Sequence, residues 1–533
     1  MDTNISEDAI AAFQFTGQDV PWLLAQWAEK KPDHPVLIWE PKDGASRQWT
    51  YAEFWTDVQR IAAGLHARGI VKGDMVVIHA DNCPEMVLAW YACATVGAVG
   101  VTTNTRSVGA EMSYFIEHTG AVAAITQPKF AEMVRASGPD LRWIAVTSDD
   151  AGEPAAAPAA EGFETFDSLF GDAAAAPVRP AEPMLPVGVM FTSGTTSRPK
   201  AVVHTHANAL WAARVGPNNI GMHPDGVYLI FLPFFHVNAQ SWSMWSTLGV
   251  GGTIVLQPKF SASRFWDVIV ARSVTHISLI PFVYTAVAGK PIPDNKLEVG
   301  VFGAVVPPLE QLLGCRVLPA YGMTETVTHA TSAGIHGQIP VGSMGKATPG
   351  YETLVVDPET GEVLDDGRVG ELWLRGTRGI QLFLEYYGNP EANAKSFTEG
   401  GWFRTGDMVR IGEGGAIFYT ERDKDMLKVG GENVSAKEVE DLCRTVAGVG
   451  EVAVVGRSHP MLDVVPVAFV IKGANAPDEA TLEAQIIELC RTNLSDFKVP
   501  RAVYCVEDFP RATLDKVAKN QLRDIADAKP DPF

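Results

Sequence analysis

The sequence predicts an α/β fold, with a large N-terminal domain of helix-covered, largely parallel sheets followed by a small C-terminal α+β domain. Three observations predict it. Short apolar runs ending in Pro or Gly alternate with helical stretches over most of the length. With 533 residues, 46% of them apolar, the chain has material for several domain-sized cores. After roughly residue 420 the texture changes to that of a compact unit in which alternating strands and amphipathic helices follow closely.

The elements can be justified in order. Thr50 is an N-cap for a helix that sets Phe54, Val58, Ile61 and Leu65 on one face and stops at Gly69. Met75 to Ala80 reads as a strand. Met86 to Thr103 carries no charge over nearly the length of a membrane span. Gly97 and Gly100 divide it, however, into a helix and a buried strand, so no integral membrane segment is expected. Asp149 to Pro186 is rich in Ala and Pro and is expected to be an exposed excursion with one short element at FDSLF. GVYLIFLP, GGTIVLQP, THISLIP, VGVFGAV and RVLPAYG then read as strands of a covered sheet, with SRFWDVIVARS as a helical spacer. In the C-terminal unit, EVAVVG and VVPVAFVIK are strands, and Asp478 caps a helix carrying Leu482, Ile486, Leu489 and Asn493 at helical spacing.

Charge narrows the class of partner. A net charge of −20 excludes nucleic acid or an anionic membrane surface as the main partner, so any bound anion needs local donors. The opening MDTNISEDAI lacks the basic and apolar regions of a signal peptide. Six cysteines are scattered without CxxC or ligand-like spacing, as expected of reduced thiols in a cytoplasmic protein.

The segment FTSGTTSRPKAVVHTH, Phe191 to His206, follows an apolar strand and has the composition of a polyphosphate cradle. Gly194 lets the backbone approach an anion, the hydroxyls of Thr192, Ser193, Thr195 and Thr196 can donate to it, and Lys200 adds a point charge. It is not a Walker A loop, because GxxxxGK[ST] is absent. Taken alone, a polar surface loop remains open as an alternative. His204 and His206 have no third ligand at a useful spacing for a metal.

Six segments in order resemble the adenylate-forming superfamily of acyl-CoA synthetases, luciferases and peptide-synthetase adenylation domains. FTSGTTSRPK is similar to its phosphate loop, FLPFFH to its aromatic-histidine motif and YGMTET to its adenine and magnesium motif. WFRTGD is similar to its ribose motif, ERDKDMLKVGGENV to its hinge and pantetheine segment, and PRATLDK to its terminal lysine segment.

The resemblance implies an AMP-forming acid:CoA ligase using ATP, Mg²⁺ and coenzyme A on a small-molecule carboxylic acid. A carboxylate is a poor acyl donor; attack on the α-phosphate of ATP replaces oxide by AMP as leaving group. That joins two anions, so positive charge must be supplied. It implies that Lys516 bridges carboxylate and α-phosphate, and that Thr196 and Glu325 place Mg²⁺. Asp407, assisted by Arg422, would hold the ribose; Gly303, Ala304, Val305, Tyr321, Gly322, Met323 and Thr324 would line the adenine slot. His236 would guard an acyl pocket of Phe235, Asn238, Ser241, Trp242, the PFVY turn from Pro281 to Tyr284, Val305 and Ala330. For the thioester step, Lys424 is the hinge on which the small domain turns, dividing the chain into 1–423 and 424–533; Lys428, Gly430 and Gly431 would then meet the pantetheine arm. The family's members also allow a homodimer.

Several positions depart from the family pattern. Ser197, Ala201, Glu421 and Asp515 stand where glycine is usual, and Ser197 in particular resembles the crotonobetaine/carnitine CoA ligase group. A quaternary ammonium on the acid could be held by Trp242 or Trp245 through cation–π contact. Two other functions stay open at this point: loading of a carrier-protein thiol, and nucleotide binding with little turnover.

Overall fold

Two sheets with mainly parallel strands carry the phosphate-loop, aromatic-histidine and adenine motifs of the large part at strand ends, whereas WFRTGD lies on a strand of a separate antiparallel sheet. The computed structural model describes residues 7–155, 161–192, 198–280, 283, 286–287, 289–422, 426–473, 476–510 and 517–530. One sheet has nine strands, and Val227–Ile230, Thr253–Leu256, His276–Ser278, Val299–Phe302 and Arg316–Tyr321 run parallel within it. The segments 231–236, 303–305 and 322–326 leave the carboxyl ends of three of these strands, where open α/β sheets gather their ligands. An eight-stranded sheet holds Met75–His79, Val99–Thr102, Ala123–Thr126 and Ile144–Val146 parallel beside Pro186–Thr192. Its next strand, Lys200–Thr205, runs antiparallel, so the phosphate-loop motif is a hairpin rather than a strand-to-helix turn.

Local chemistry accounts for the elements. Thr50 Oγ1 accepts from the Glu53 N–H and the Glu53 carboxylate accepts from the Thr50 N–H, closing a capping box. Phe54, Val58, Ile61 and Leu65 on that helix are all fully buried. The uncharged run is a helix, Pro84–Val96, ended by Gly97 at φ +86°, then the strand Val99–Thr102. Gly100 does more than interrupt: it pairs with Gly188 on the neighbouring strand, and a Cβ at Gly100 would lie 2.6 Å from Trp90 Cδ1. The paired glycines are the seat of the fully buried Trp90 ring. No helix among the described residues is long and apolar enough to cross a membrane.

Two expectations need correction. The stretch 149–186 is tied down rather than simply exposed: Phe166 and Leu169 are buried, Glu164–Thr165 extends the sheet edge, and Arg179 pairs at 2.9 Å with buried Asp19. Its Ala/Pro-rich composition hid the few anchors that hold it. In the helix Glu479–Asn493 the buried face is Leu482, Ile486 and Cys490, while Leu489 sits to one side. Helical geometry turns Cys490 inward in its place, where Cys443 Sγ lies 3.8 Å from its Sγ.

An antiparallel sheet of Glu352–Val356, Val369–Arg375, Trp402–Ile411 and Ile417–Arg422 precedes the C-terminal unit. The latter has five strands, with Val503–Val506 parallel to Asp463–Lys472 and the others antiparallel. Its apolar clusters draw only on residues from Leu427 onward, whereas those of the large part end at Ile417.

Candidate active site

The hairpin of the phosphate-loop motif pairs Thr192 with Lys200. Ser193, Gly194, Thr195, Thr196 and Ser197 lie outside the described residues. At the hairpin base, Lys200 Nζ stands 4.2 Å from the centroid of the Tyr386 ring. Tyr386 belongs to a short strand, Glu385–Tyr386, that pairs with Val202 and Val203. Its hydroxyl donates to Glu325 Oε1 at 2.8 Å. One buried tyrosine therefore joins the lysine of one motif to the carboxylate of another. Sequence reasoning missed Tyr386; its signal, a Tyr-Tyr pair beside a turn, belongs to none of the six segments.

Glu325 is buried and lies in a tight turn, Thr324–Thr326, that follows the strand ending at Tyr321. The turn is fixed on several sides. His204 Nε2 donates to the Thr324 carbonyl at 2.8 Å, the Phe383 N–H to the Glu325 carbonyl at 2.8 Å, and the Tyr351 hydroxyl to the Thr326 carbonyl at 2.7 Å. Val327 follows at φ +65°, a costly conformation for a β-branched residue of the kind that collects at functional sites. Gly322 is required sterically, since a Cβ there would come within 2.7 Å of the Thr328 carbonyl and 2.8 Å of the Trp242 ring. Met323 takes its N–H to Thr326 Oγ1. His204 is thus a loop anchor, and His206 accepts the Val20 N–H at Nδ1 and faces Arg179 at Nε2.

Asp407, also buried, accepts a 2.6 Å hydrogen bond from the Tyr321 hydroxyl. Strand register sets Arg422 directly opposite Asp407. The Gly303–Val305 turn is clasped to another loop, with the Val305 N–H donating to Ser343 and the Gly342 N–H donating to Val305. A cavity of about 310 Å³ adjoins it, lined by Val305, Val306, Arg316 and Gln338. Gly303, Ala304 and Tyr321 do not line that cavity.

The segment FLPFFH is clamped by Asn82, which donates to the Leu232 carbonyl at 2.9 Å and accepts the Phe234 N–H at 2.7 Å. Phe235 and His236 then lead into a π-helix, Asn238–Trp245, a form frequent at functional sites. Ser241 Oγ donates to the carbonyl of strained Val327 at 2.6 Å, and the Trp242 ring lies 4.6 Å from that of His329. Ala330 is buried behind them, with its N–H on the Tyr321 carbonyl. Trp245, in contrast, is packed between Trp90 and His204. Both tryptophans belong to the buried core; Trp242 is the one of the pair that lies against His329 and Gly322.

The glycine segment arrives from the small unit. Strands Met426–Val429 and Glu432–Ser435 form a hairpin whose two central residues, Gly430 and Gly431, have φ +58° and +92°, the pattern that selects glycine in such turns. The hairpin lies against the large part: a Cβ on Gly431 would be 3.5 Å from Ile280 Cδ1. Glu432 Oε1 is 3.2 Å from His236 Nε2. Burial opposes charge on both groups, yet their attraction raises the pKa of His236 and lowers that of Glu432. Lys428 pairs in register with Asn433 and is exposed to solvent, with no described contact to the site. Pro281, Phe282, Tyr284, Lys424 and Lys516 lie outside the described residues, and Arg422 is placed by its strand register.

A family model described as AMP-binding enzyme matches residues 24–387, and one described as AMP-binding enzyme C-terminal domain matches 438–516. The chain belongs to the AMP-binding enzyme family. It is 31% identical over 529 residues to a crotonobetaine/carnitine–CoA ligase of Salmonella heidelberg, covering 95% of this chain and 99% of that one. Its fold matches o-succinylbenzoate CoA synthetase from Bacillus subtilis bound with its product analogue OSB-NCoA, with a TM-score of 0.79 at 25% identity over 94% and 98% of the two chains. ATP-bound MatB from Rhodopseudomonas palustris matches with a TM-score of 0.66 at 28% identity over 95% and 99%. This family member is an AMP-forming acyl-CoA synthetase, whose small-molecule substrates are ATP, a carboxylic acid and coenzyme A, with Mg²⁺ as cofactor.

Proposed function

We propose that the structure holds the arrangement for the second step of a two-step acid:CoA ligation, in which the thiol of coenzyme A attacks an acyl-adenylate. The observation that carries this is Glu432, on the glycine turn, meeting His236 beside the acyl pocket. The two moving units are 1–423 and 424–533, hinged at Lys424.

In the first step Lys516 offsets the charge that builds as the substrate carboxylate meets the α-phosphate. Asp407 holds the ribose hydroxyls, with its carboxylate oriented by Tyr321. Thr192 and Lys200 hold the distal phosphates with the residues between them. The Mg²⁺ donor set is the Thr196 hydroxyl and the Glu325 carboxylate, hard oxygen ligands that fit this ion, and Tyr386 orients the carboxylate. When bound, the ion neutralises phosphate charge. In the second step the glycine backbone at Gly430 and Gly431 lets the pantetheine arm pass close, and Glu432 holds His236 aside from the acyl group.

The natural acid fits a pocket of Phe235, Asn238, Ser241, Trp242, Val305 and Ala330. A quaternary-ammonium acid such as the Salmonella relative's name describes would face the Trp242 ring, against which His329 already lies. Cytoplasmic residence and a homodimer complete the proposal, and sedimentation of the purified protein tests the dimer.

The test follows pyrophosphate release and CoA thioester formation over a panel of acids, for the wild type and Lys516→Ala. Lys516→Ala should lose pyrophosphate release and still convert supplied acyl-adenylate to thioester. Unchanged release would sink the assigned role, and acyl transfer to a carrier-protein thiol but not to CoA would overturn the acceptor.

A further inference from the structure

Away from the reacting groups, the two parts of the chain are joined by a buried cluster of charge. Lys498, on the short turn Asp496–Lys498 of the small unit, is 4% exposed. Its Nζ lies 2.6 Å from Glu111 Oε1 and 3.0 Å from Glu438 Oε1. Ser495 Oγ donates to Glu111 Oε2 at 2.6 Å. Glu111 belongs to the large part, on the helix Gly109–Thr119, where Oε2 also accepts the Val108 N–H. Glu438 belongs to the small unit, on the helix Ala436–Cys443.

This cluster is divided in a particular way. Lys498 and Glu438 travel together with the small unit, whereas Glu111 stays with the large part. Rotation of the small unit would therefore break the Lys498–Glu111 and Ser495–Glu111 contacts and leave Lys498–Glu438 intact. Each unit packs its own apolar core, and the ion pairs and hydrogen bonds of Glu111, Lys498, Ser495, Arg106 and Asp496 cross the joint, as suits a contact that is opened and remade in water. Nearby, the Arg106 guanidinium lies 4.5 Å from the Phe497 ring centroid and pairs with Asp496 at 2.6 Å. The same arginine attracts Glu432 electrostatically, so the segment 106–111 faces both the cluster and the glycine turn.

We propose that Glu111, Lys498 and Ser495 form a latch that holds the small unit in the thioester-forming arrangement, acting as positioning residues for the thiol-transfer step. The inference rests on the two-step reading above. Burial disfavours the Lys498 charge, but Glu111 and Glu438 carry its pKa above the ordinary lysine value, so Lys498 is charged at neutral pH. Removing one member leaves a buried charge unmatched in this arrangement only; in the other, the exposed groups return to water.

The test separates the half-reactions. Glu111→Gln and Lys498→Met should each slow single-turnover conversion of supplied acyl-adenylate to acyl-CoA by about tenfold or more, while pyrophosphate release without CoA changes by less than about threefold. Lys498→Met should be the worse, because it leaves Glu111 and Glu438 facing each other, and Lys498→Arg should recover most of the loss. Ser495→Ala removes a hydroxyl and no charge, so it tests the same joint in a protein whose fold is spared; about a threefold selective loss is expected. Equal losses in both half-reactions, or none in either, would overturn the latch while leaving ligase turnover in place. A wild type that releases pyrophosphate and never forms a thioester would overturn the two-step reading, and the latch with it.

Discussion

The Tyr321 hydroxyl donates to Asp407 Oδ2 at 2.6 Å, binding the end of a parallel strand to an antiparallel sheet. The carboxylate proposed for the ribose is thereby aimed by the residue proposed to wall the adenine slot. Tyr321→Phe keeps the ring and deletes the hydroxyl. Loss of a hydrogen bond to a charged group, about 1.5–3 kcal/mol, should lower kcat/KM for ATP by roughly tenfold to a hundredfold in a pyrophosphate-release assay. An unchanged value would mean that Asp407 needs no such support.

Tyr386 makes a second prediction. Its hydroxyl orients Glu325 and its ring meets Lys200. Tyr386→Phe preserves the cation–ring contact and removes the hydrogen bond, so it should slow adenylation by about tenfold and raise the Mg²⁺ concentration needed for half-maximal rate. A titration of rate against Mg²⁺ that overlays the wild type would count against this role.

The His236–Glu432 pair sets a pH dependence. Burial favours the neutral imidazole, but Glu432 raises His236 above its ordinary 6.5, and His236 in turn lowers Glu432 below 4.5 despite burial. The histidine's contribution is fully present below 6.5 and fades as pH rises through its raised value. The carboxylate's is present above 4.5 and fades as pH falls through its lowered value. The docked glycine turn should therefore weaken on the alkaline side. Glu432→Gln should shift the His236 titration to lower pH, where burial is no longer opposed. NMR titration of the histidine reads this directly, and no shift between the two proteins would refute the pairing.

Gly64 tests the correction to the 149–186 stretch. A Cβ there would overlap the Leu169 carbonyl, so Gly64→Ala must push the stretch off the helix Tyr51–Ala67. Overpacking of this kind should cost about 1–3 kcal/mol, read as a lower denaturation midpoint. A midpoint equal to wild type would show that the stretch yields without cost.

Much of the fold was legible because its signals are local. The capping box at Thr50 and Glu53, the glycine stop at Gly97 and the cap at Asp478 each lie within a few residues of what they determine. The site was legible only where its residues fall in contiguous motifs, as Asp407 and Glu325 do. Tyr386 falls in none of the motifs, and Glu432, although inside the ERDKDMLKVGGENV segment, takes no role from it, because each acts on a partner 61 and 196 residues away, respectively, and no local pattern announces such a pairing.

By itself, then, the sequence determined the layered α/β architecture, the texture change near residue 420 and the chemistry of the motifs, all properties of periodicity and residue type. Tertiary structure alone decided that Gly100 and Gly188 seat Trp90, that Trp245 is core, and that Glu432 faces His236 while Lys498 bridges Glu111 and Glu438. Those relationships depend on strand order, register and the placement of one unit on another, which bring distant residues within hydrogen-bond range, and no spacing along the chain encodes that distance.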